Sequence, residues 1–179
     1  MKPVFKRAYL GLLAAGLVLM AAPAIGAESL ETAIKANYLY KFAPFVEWPE
    51  SAWGPSPFTI CIVGADPFGP VLDQAVKGQR IGPRSIEIKR LKIAEANSGC
   101  HIMYLGGSQE QSVAQGLDAV HGTPVLSVTS DNVPGAVIHF VLENNHVRFD
   151  IDDVMAADNK LSISSKLLSL ARSVKLRKP

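Results

Sequence analysis

The chain has 179 residues and carries 18 Lys and Arg against 16 Asp and Glu. Lys2, Lys6 and Arg7 fall within the first 27 positions, which hold no acidic residue, so the remainder has 15 basic against 16 acidic side chains and a net charge of −1. That balance excludes the cationic field that nucleic-acid binding requires, and ~150 residues suffice for one core without metals or many disulfides.

Residues 1–27 read as an export leader: a positive start, an apolar stretch from Ala8 to Met20, and small-residue cleavage sites at Ala22-Pro23-Ala24 and Ile25-Gly26-Ala27. The apolar run ends at Pro23, short of the ~18 uninterrupted residues that a membrane anchor needs. The expected organisation is a leader over 1–27 and one domain over 28–179. In an exported chain Cys61 and Cys100 are expected to form one disulfide. Two separate buried thiols or a redox switch are the competing readings, and no CxxC spacing supports catalysis.

Ser29 is placed to cap a helix in which Leu30, Ala33, Ile34, Tyr38 and Phe42 recur at helical spacing, ending before Pro44. Residues 50–57 read as a loop, and Phe58 to Val63 as a strand covered on both faces. Gly64-Ala65-Asp66-Pro67 turns the chain toward a helix near Val71 to Val76. Strands are expected at Ser85 to Leu91, Ile102 to Leu105 and Pro124 to Val128, with a helix over Gln109 to Val120. This alternation predicts an α/β fold, a largely parallel sheet flanked by helices in a Rossmann-like three-layer arrangement. Strands 58–63 and 102–105 can be neighbours there, which would bring Cys61 near Cys100.

A C-terminal β-hairpin is the sharpest local signal. With Asn144-Asn145 as a two-residue turn, Leu142 faces Val147, Phe140 faces Phe149 and Ile138 faces Ile151, making one apolar face. The other face collects His139, Val141, Glu143, His146, Arg148 and Asp150, pairing His139 with Asp150 and Glu143 with His146. A short helix over Val154 to Ala157, a turn at Asp158-Asn159-Lys160 and a strand over Leu161 to Ile163 follow. Ser164 or Ser165 then caps a final helix with Leu167, Leu168, Leu170, Ala171 and Val174 as its stripe, and Lys175 to Lys178 form a solvated end.

No constellation amounts to an active site, so no catalytic residue, metal site or cofactor is assigned and an enzyme is not expected. Gly64 to Gly69 occupies the place of a dinucleotide loop but lacks GxGxxG and puts Pro67 where backbone donors are wanted, so it reads as a turn. An SxxK motif ending at Lys166 would need serine where Ile163 stands. Asp150, Asp152 and Asp153 read as a strand end and helix cap rather than a cation site. Phe45, Trp48 and Trp53 form either local core or, if exposed, anchors for a protein partner.

Tyr38-Leu39-Tyr40-Lys41-Phe42, the run Phe45-Val46-Glu47-Trp48-Pro49, the strand Phe58 to Gly64, Val147 to Ile151 and Ile163 to Ala171 together resemble the YfiR family, across essentially everything after the leader. The resemblance implies a periplasmic, usually dimeric α/β domain. It further implies a repressor that binds the periplasmic sensor domain of an inner-membrane diguanylate cyclase, lowering cyclic di-GMP and biofilm formation, beside an outer-membrane lipoprotein that sequesters it. The Cys61 and Cys100 spacing fits the family's first disulfide, and a second pair found in some relatives is absent here. The family supplies no catalytic residues. The expected contact surface is Phe45, Glu47 and Trp48 with Glu143 and Arg148 on the polar hairpin face. The alternative is a small-molecule sensor with a pocket at the strand ends.

Overall fold

The computed structural model describes residues 27–54 and 57–177. Helix α1 (Ala27–Phe42) runs into a 3-10 turn at Ala43–Phe45 and strand β1 (Val46–Glu47). Then come β2 (Phe58–Val63), α2 (Pro70–Val76), β3 (Arg80–Ile81), β4 (Arg84–Leu91), β5 (Ile102–Leu105), α3 (Val113–Val120) and β6 (Leu126–Thr129). The chain closes with β7 (Ile138–Glu143), β8 (His146–Asp152), α4 (Asp153–Asp158), β9 (Ser162–Ile163), α5 (Ser165–Leu168) and β10 (Ser173–Lys175). Residues 1–26 of the expected leader lie outside the described residues.

An eight-stranded sheet orders the strands β10-β8-β7-β6-β5-β2-β4-β3, parallel throughout except at β7–β8 and β3–β4. This is the expected largely parallel α/β architecture with a C-terminal hairpin. β2 sits centrally because all six of its residues can be buried on both faces. Its Phe58, Ile60 and Ile62 pack with α1 and α2, through Leu39, Phe42 and Leu72. Its Cys61 and Val63 pack with α3, through Val113, Leu117 and Val120. The hairpin register is the one read from the pattern, from Ile138 opposite Ile151 to Glu143 opposite His146. Asn144 and Asn145 take φ of 49° and 59°, the left-handed conformation that a tight hairpin turn demands and asparagine tolerates.

Cys61 and Cys100 are disulfide-bonded, with Cα atoms 5.8 Å apart. The bridge crosses from the middle of β2 to the approach of β5, its parallel neighbour. Both cysteines are buried, so the bond is shielded from thiols in solution.

Four expectations are corrected. First, α1 already includes Ser29, and its buried side is Ala36, Leu39 and Phe42, while Leu30 is 61% exposed. Second, α3 starts at Val113 rather than Gln109. Ser108 accepts from the Glu110 and Gln111 amides to form a turn of its own, and Ser112 with Gln115 closes a capping box that starts the helix. Third, the last helix stops at Leu168, and Val174 lies in β10, parallel to β8. Fourth, the basic C-terminal segment is more than a solvated end. Lys175 sits opposite Asp152 and binds it at 2.8 Å, and Arg177 binds Asp153 at 2.7 Å. Ser173 to Arg177 alternates apolar with polar side chains, and an acidic neighbouring strand favours that extended form over a helix.

The disulfide closes a loop with a sequence separation of 39. Replacing both cysteines by alanine is expected to lower the unfolding free energy by roughly 4 kcal/mol, read as a lower urea midpoint. An unchanged midpoint would show that the bridge does not stabilise the fold.

Candidate functional site

In open parallel sheets, ligands enter the crevice beyond the strand ends where the chain turns opposite ways. Here that point lies between β2 and β5, and backbone fills it. The Ala65 amide donates to the Gly107 carbonyl at 2.8 Å, and the Gly106 amide donates to that of Val63 at 3.0 Å. A Cβ on Gly64, whose φ is +74°, would lie 2.3 Å from the Gly107 oxygen. The loop that would cradle a phosphate instead holds the chain's own carboxylate. Asp66 Oδ1 accepts from the amides of Phe68 and Gly69 at 2.8 and 3.0 Å, and Oδ2 accepts from Arg90 Nε at 2.7 Å. Arg90 also binds Asp73 and the Gly69 carbonyl. Partial burial pushes the Asp66 carboxyl up, but Arg90 and the two amides outweigh it and hold the group below the usual carboxylate range.

The second candidate region is the aromatic exit from α1. Trp48 is buried, edge-on to Phe58 and Trp53, and His101 stacks on Phe58 at 4.6 Å. Burial pushes the His101 pKa down, the Arg84 charge acts the same way and the Ala52 backbone opposes in part. The neutral ring suits its role, because Nδ1 accepts the Thr59 amide at 3.1 Å. Trp48 is therefore core, and its ring is not displayed as an anchor. Phe45 is half-buried beneath Lys166, whose Nζ lies 5.6 Å from the ring centroid, and Glu47 is exposed. β1 pairs with β9, Val46 opposite Ile163 and Glu47 opposite Ser162, and the Ser164 amide donates to the Phe45 carbonyl.

The third region is the hairpin. β6 flanks it only at Ile138 and His139, and β10 only at Asp150 to Asp152. Between these it projects as a two-stranded arm. α1 covers the arm's apolar face, where Tyr38 and Phe42 meet Phe140 and Phe149. Beyond that cover Leu142 is 51% exposed. On the polar face Arg148 is exposed and makes no ion pair among the described residues. Glu143 instead lies 3.6 Å from Arg172, which also binds Asp150.

The structure thus separates the five expected contact residues. Phe45, Glu47 and Trp48 belong to the end of the sheet where β2 and β5 begin, beside Phe58 and His101. Glu143 and Arg148 project past the end where the parallel strands finish. His139 does face Asp150 across the strands, but that carboxylate binds Arg172. Each of the three aspartates is engaged: Asp150 by Arg172, Asp152 by Lys175 and as the α4 cap, and Asp153 by Arg177. Arg172, Leu142 and the Asp66–Arg90–Asp73 cluster were not singled out from sequence. Only the cations in the C-terminal alternation carried a local signal.

A model of the YfiR/HmsC-like family matches residues 32–172. The chain belongs to the YfiR/HmsC-like family. That family is known for regulators of diguanylate cyclases, a regulatory rather than catalytic role. No curated protein matches the chain. The structure gives the family resemblance a physical form, because Val46-Glu47-Trp48-Pro49 and Ile163-Ser164-Ser165-Lys166 meet as the β1–β9 pair and the Lys166–Phe45 contact.

Asp66 yields a signed pH prediction. Its folded pKa lies below the ordinary value of 3.8, so the stability it supplies is present above about pH 4 and is lost as pH falls through the folded value. Asp66→Asn keeps an oxygen for the two amides but removes the charge. Urea unfolding between pH 3 and 6 should show a shallower acid slope for this variant. An identical slope would mean that the Arg90 pair contributes nothing.

Proposed function

We propose that this YfiR/HmsC-like chain is a periplasmic binding protein that represses an inner-membrane diguanylate cyclase by holding the cyclase's sensor domain in its inactive state. Cyclic di-GMP and biofilm formation fall as a result. The supporting observation is the projecting hairpin arm, which exposes Leu142 on one face and, on the other, Arg148, without an ion pair among the described residues, beside the Glu143–Arg172 pair. An exposed apolar side chain on an arm that also carries exposed charges is the ordinary composition of a protein contact. Repression requires unequal affinity, since a protein that binds both cyclase states equally shifts nothing however tightly it holds. A hundredfold preference for the inactive state would supply about 2.7 kcal/mol of bias. In this reading the aromatic end of the sheet is structural, and an outer-membrane lipoprotein that sequesters the repressor would relieve the effect.

For a small-molecule sensor, backbone and the Asp66 carboxylate take the place between β2 and β5, leaving a hollow of about 280 Å³ lined by Gly64, Arg90, Leu91, Lys92, Ser108 and Glu110.

Deleting the gene in a host with a partner cyclase is expected to raise cyclic di-GMP severalfold. Complementation with Leu142→Asp/Arg148→Glu should fail to lower it, although the exposed positions leave the urea midpoint unchanged. Full complementation by that double variant would place the contact elsewhere, and unchanged cyclic di-GMP after deletion would sink the reading.

A further inference from the structure

The outer edge of β4 is open. β3 covers it only at Arg84 and Ser85, which leaves Ile86 to Arg90 with one strand neighbour, β2. Such a stretch is a template for another strand. A hollow of about 360 Å³ lies alongside it, with Val76 of α2 and Ile86 and Ile88 of β4 as its apolar lining. Ile86 and Ile88 stand beside Phe58 and Ile60 of β2, on the sheet face that α1 and α2 cover. Side chains of an added strand that stand opposite Ile86 and Ile88 share that face and enter the hollow. On the other face Glu87 and Lys89 make no ion pair among the described residues.

β3 decides how an added strand must finish. It runs antiparallel to β4 and occupies the edge as far as Ser85. A strand added antiparallel, the slightly more stable pairing per residue, runs from Arg90 toward Ile86 and meets β3 head on. There it must end or leave the sheet. At that point the hollow is lined by Lys77 and by Arg80, whose guanidinium donates to the Pro83 carbonyl. Lys77 makes no ion pair among the described residues, and Asp73, one turn earlier in α2, is bound by Arg90. An anion is therefore favoured where the added strand stops, and a chain end supplies one in its own carboxylate.

We propose that the β4 edge binds the C-terminal strand of another protein, added antiparallel with its carboxylate beside Lys77 and Arg80. Apolar residues of that strand stand opposite Ile86 and Ile88, a basic residue opposite Glu87 and an acidic residue opposite Lys89. A protein whose chain ends acid-apolar-base-apolar meets all of these demands. A second copy of this chain meets fewer. Two copies paired antiparallel about Ile88, the centre of the open stretch, would set Arg90 of one against Ile86 of the other, and that guanidinium is already held by Asp66 and Asp73. β4 is also internal to the chain, so a copy brings no carboxylate to Lys77.

Fluorescence anisotropy of a labelled peptide tests this directly. The probe is fluorescein-Ser-Glu-Val-Lys-Val with a free carboxylate, titrated with the purified chain. Saturable binding is expected. Methylating the peptide's backbone nitrogens removes the strand hydrogen bonds and should abolish it, and amidating the carboxylate should weaken it at least about fivefold. The variant E87K/K89E should bind this probe at least about tenfold more weakly and prefer the exchanged peptide, fluorescein-Ser-Lys-Val-Glu-Val. The urea midpoint reports that the variant folds. Should it fail to fold, the amidated, methylated and exchanged peptides on the wild-type chain carry the test. No saturable binding up to about 1 mM, indifference to methylation or amidation, or charge preferences that do not exchange would each overturn the proposal. Binding that appears only as the chain is diluted would give the edge to a second copy and overturn it as well. The measurement involves no cyclase, so its failure is separate from failure of the proposed repression.

Discussion

Four rings hold the first helix to the last hairpin, and the arrangement of the candidate binding surface follows from them. Tyr38 stacks on Phe42 at 5.7 Å, and both meet Phe140 and Phe149 on the hairpin face that α1 covers. An isolated two-stranded ribbon is marginal in water. Each favourable aromatic pair adds about 0.5–1.5 kcal/mol beyond area burial, so this cluster is what lets the arm stand free of its strand neighbours. The same cover ends before Leu142, which explains why an apolar residue on the inward-facing side of the hairpin nevertheless reaches solvent. Arm stability and tip exposure are two results of one packing contact.

At the end of the sheet past which the arm projects, the chain's own groups take the place where this kind of fold commonly binds a ligand. The position where a phosphate would meet backbone donors is taken by the Asp66 carboxylate, with Arg90 behind it. The glycines at the strand ends bring backbone into contact instead of opening space, since Gly64 and Gly107 allow the two loops to hydrogen-bond directly. The disulfide and the Thr59–His101 contact fix the same two strands further down. A centre braced in this way is consistent with recognition at the periphery, where Arg148 is exposed and makes no ion pair among the described residues.

The hairpin register, the buried central strand and the Cys61–Cys100 pair were legible because each rests on a strong local constraint. A one-residue slip of β7 on β8 would turn Phe140 and Phe149 to solvent, and only a few residue types accept the backbone of Asn144-Asn145. The α3 boundary was legible too, in the Ser112–Gln115 spacing, but the apolar periodicity of 109–120 masks it. The contact surface was less legible. Trp48 has the same composition signal whether it is core or anchor, and only the positions of Phe58 and His101 decide that it is core. The β1–β9 pair joins two-residue strands far apart in the chain, too short for any periodicity to reveal.

The two margins of the sheet are finished by different physics. At one margin β10 lies along β8, and Arg172, Lys175 and Arg177 bind Asp150, Asp152 and Asp153 in turn. Every charge in that row is matched within the chain, so the margin offers a second molecule little electrostatic gain, and solvent screens exposed pairs of this kind. At the other margin β3 is two residues long, and Glu87 and Lys89 make no ion pair among the described residues. One edge therefore balances its charges strand against strand within the chain, and the other leaves β4 with β2 as its single strand neighbour from Ile86 to Arg90.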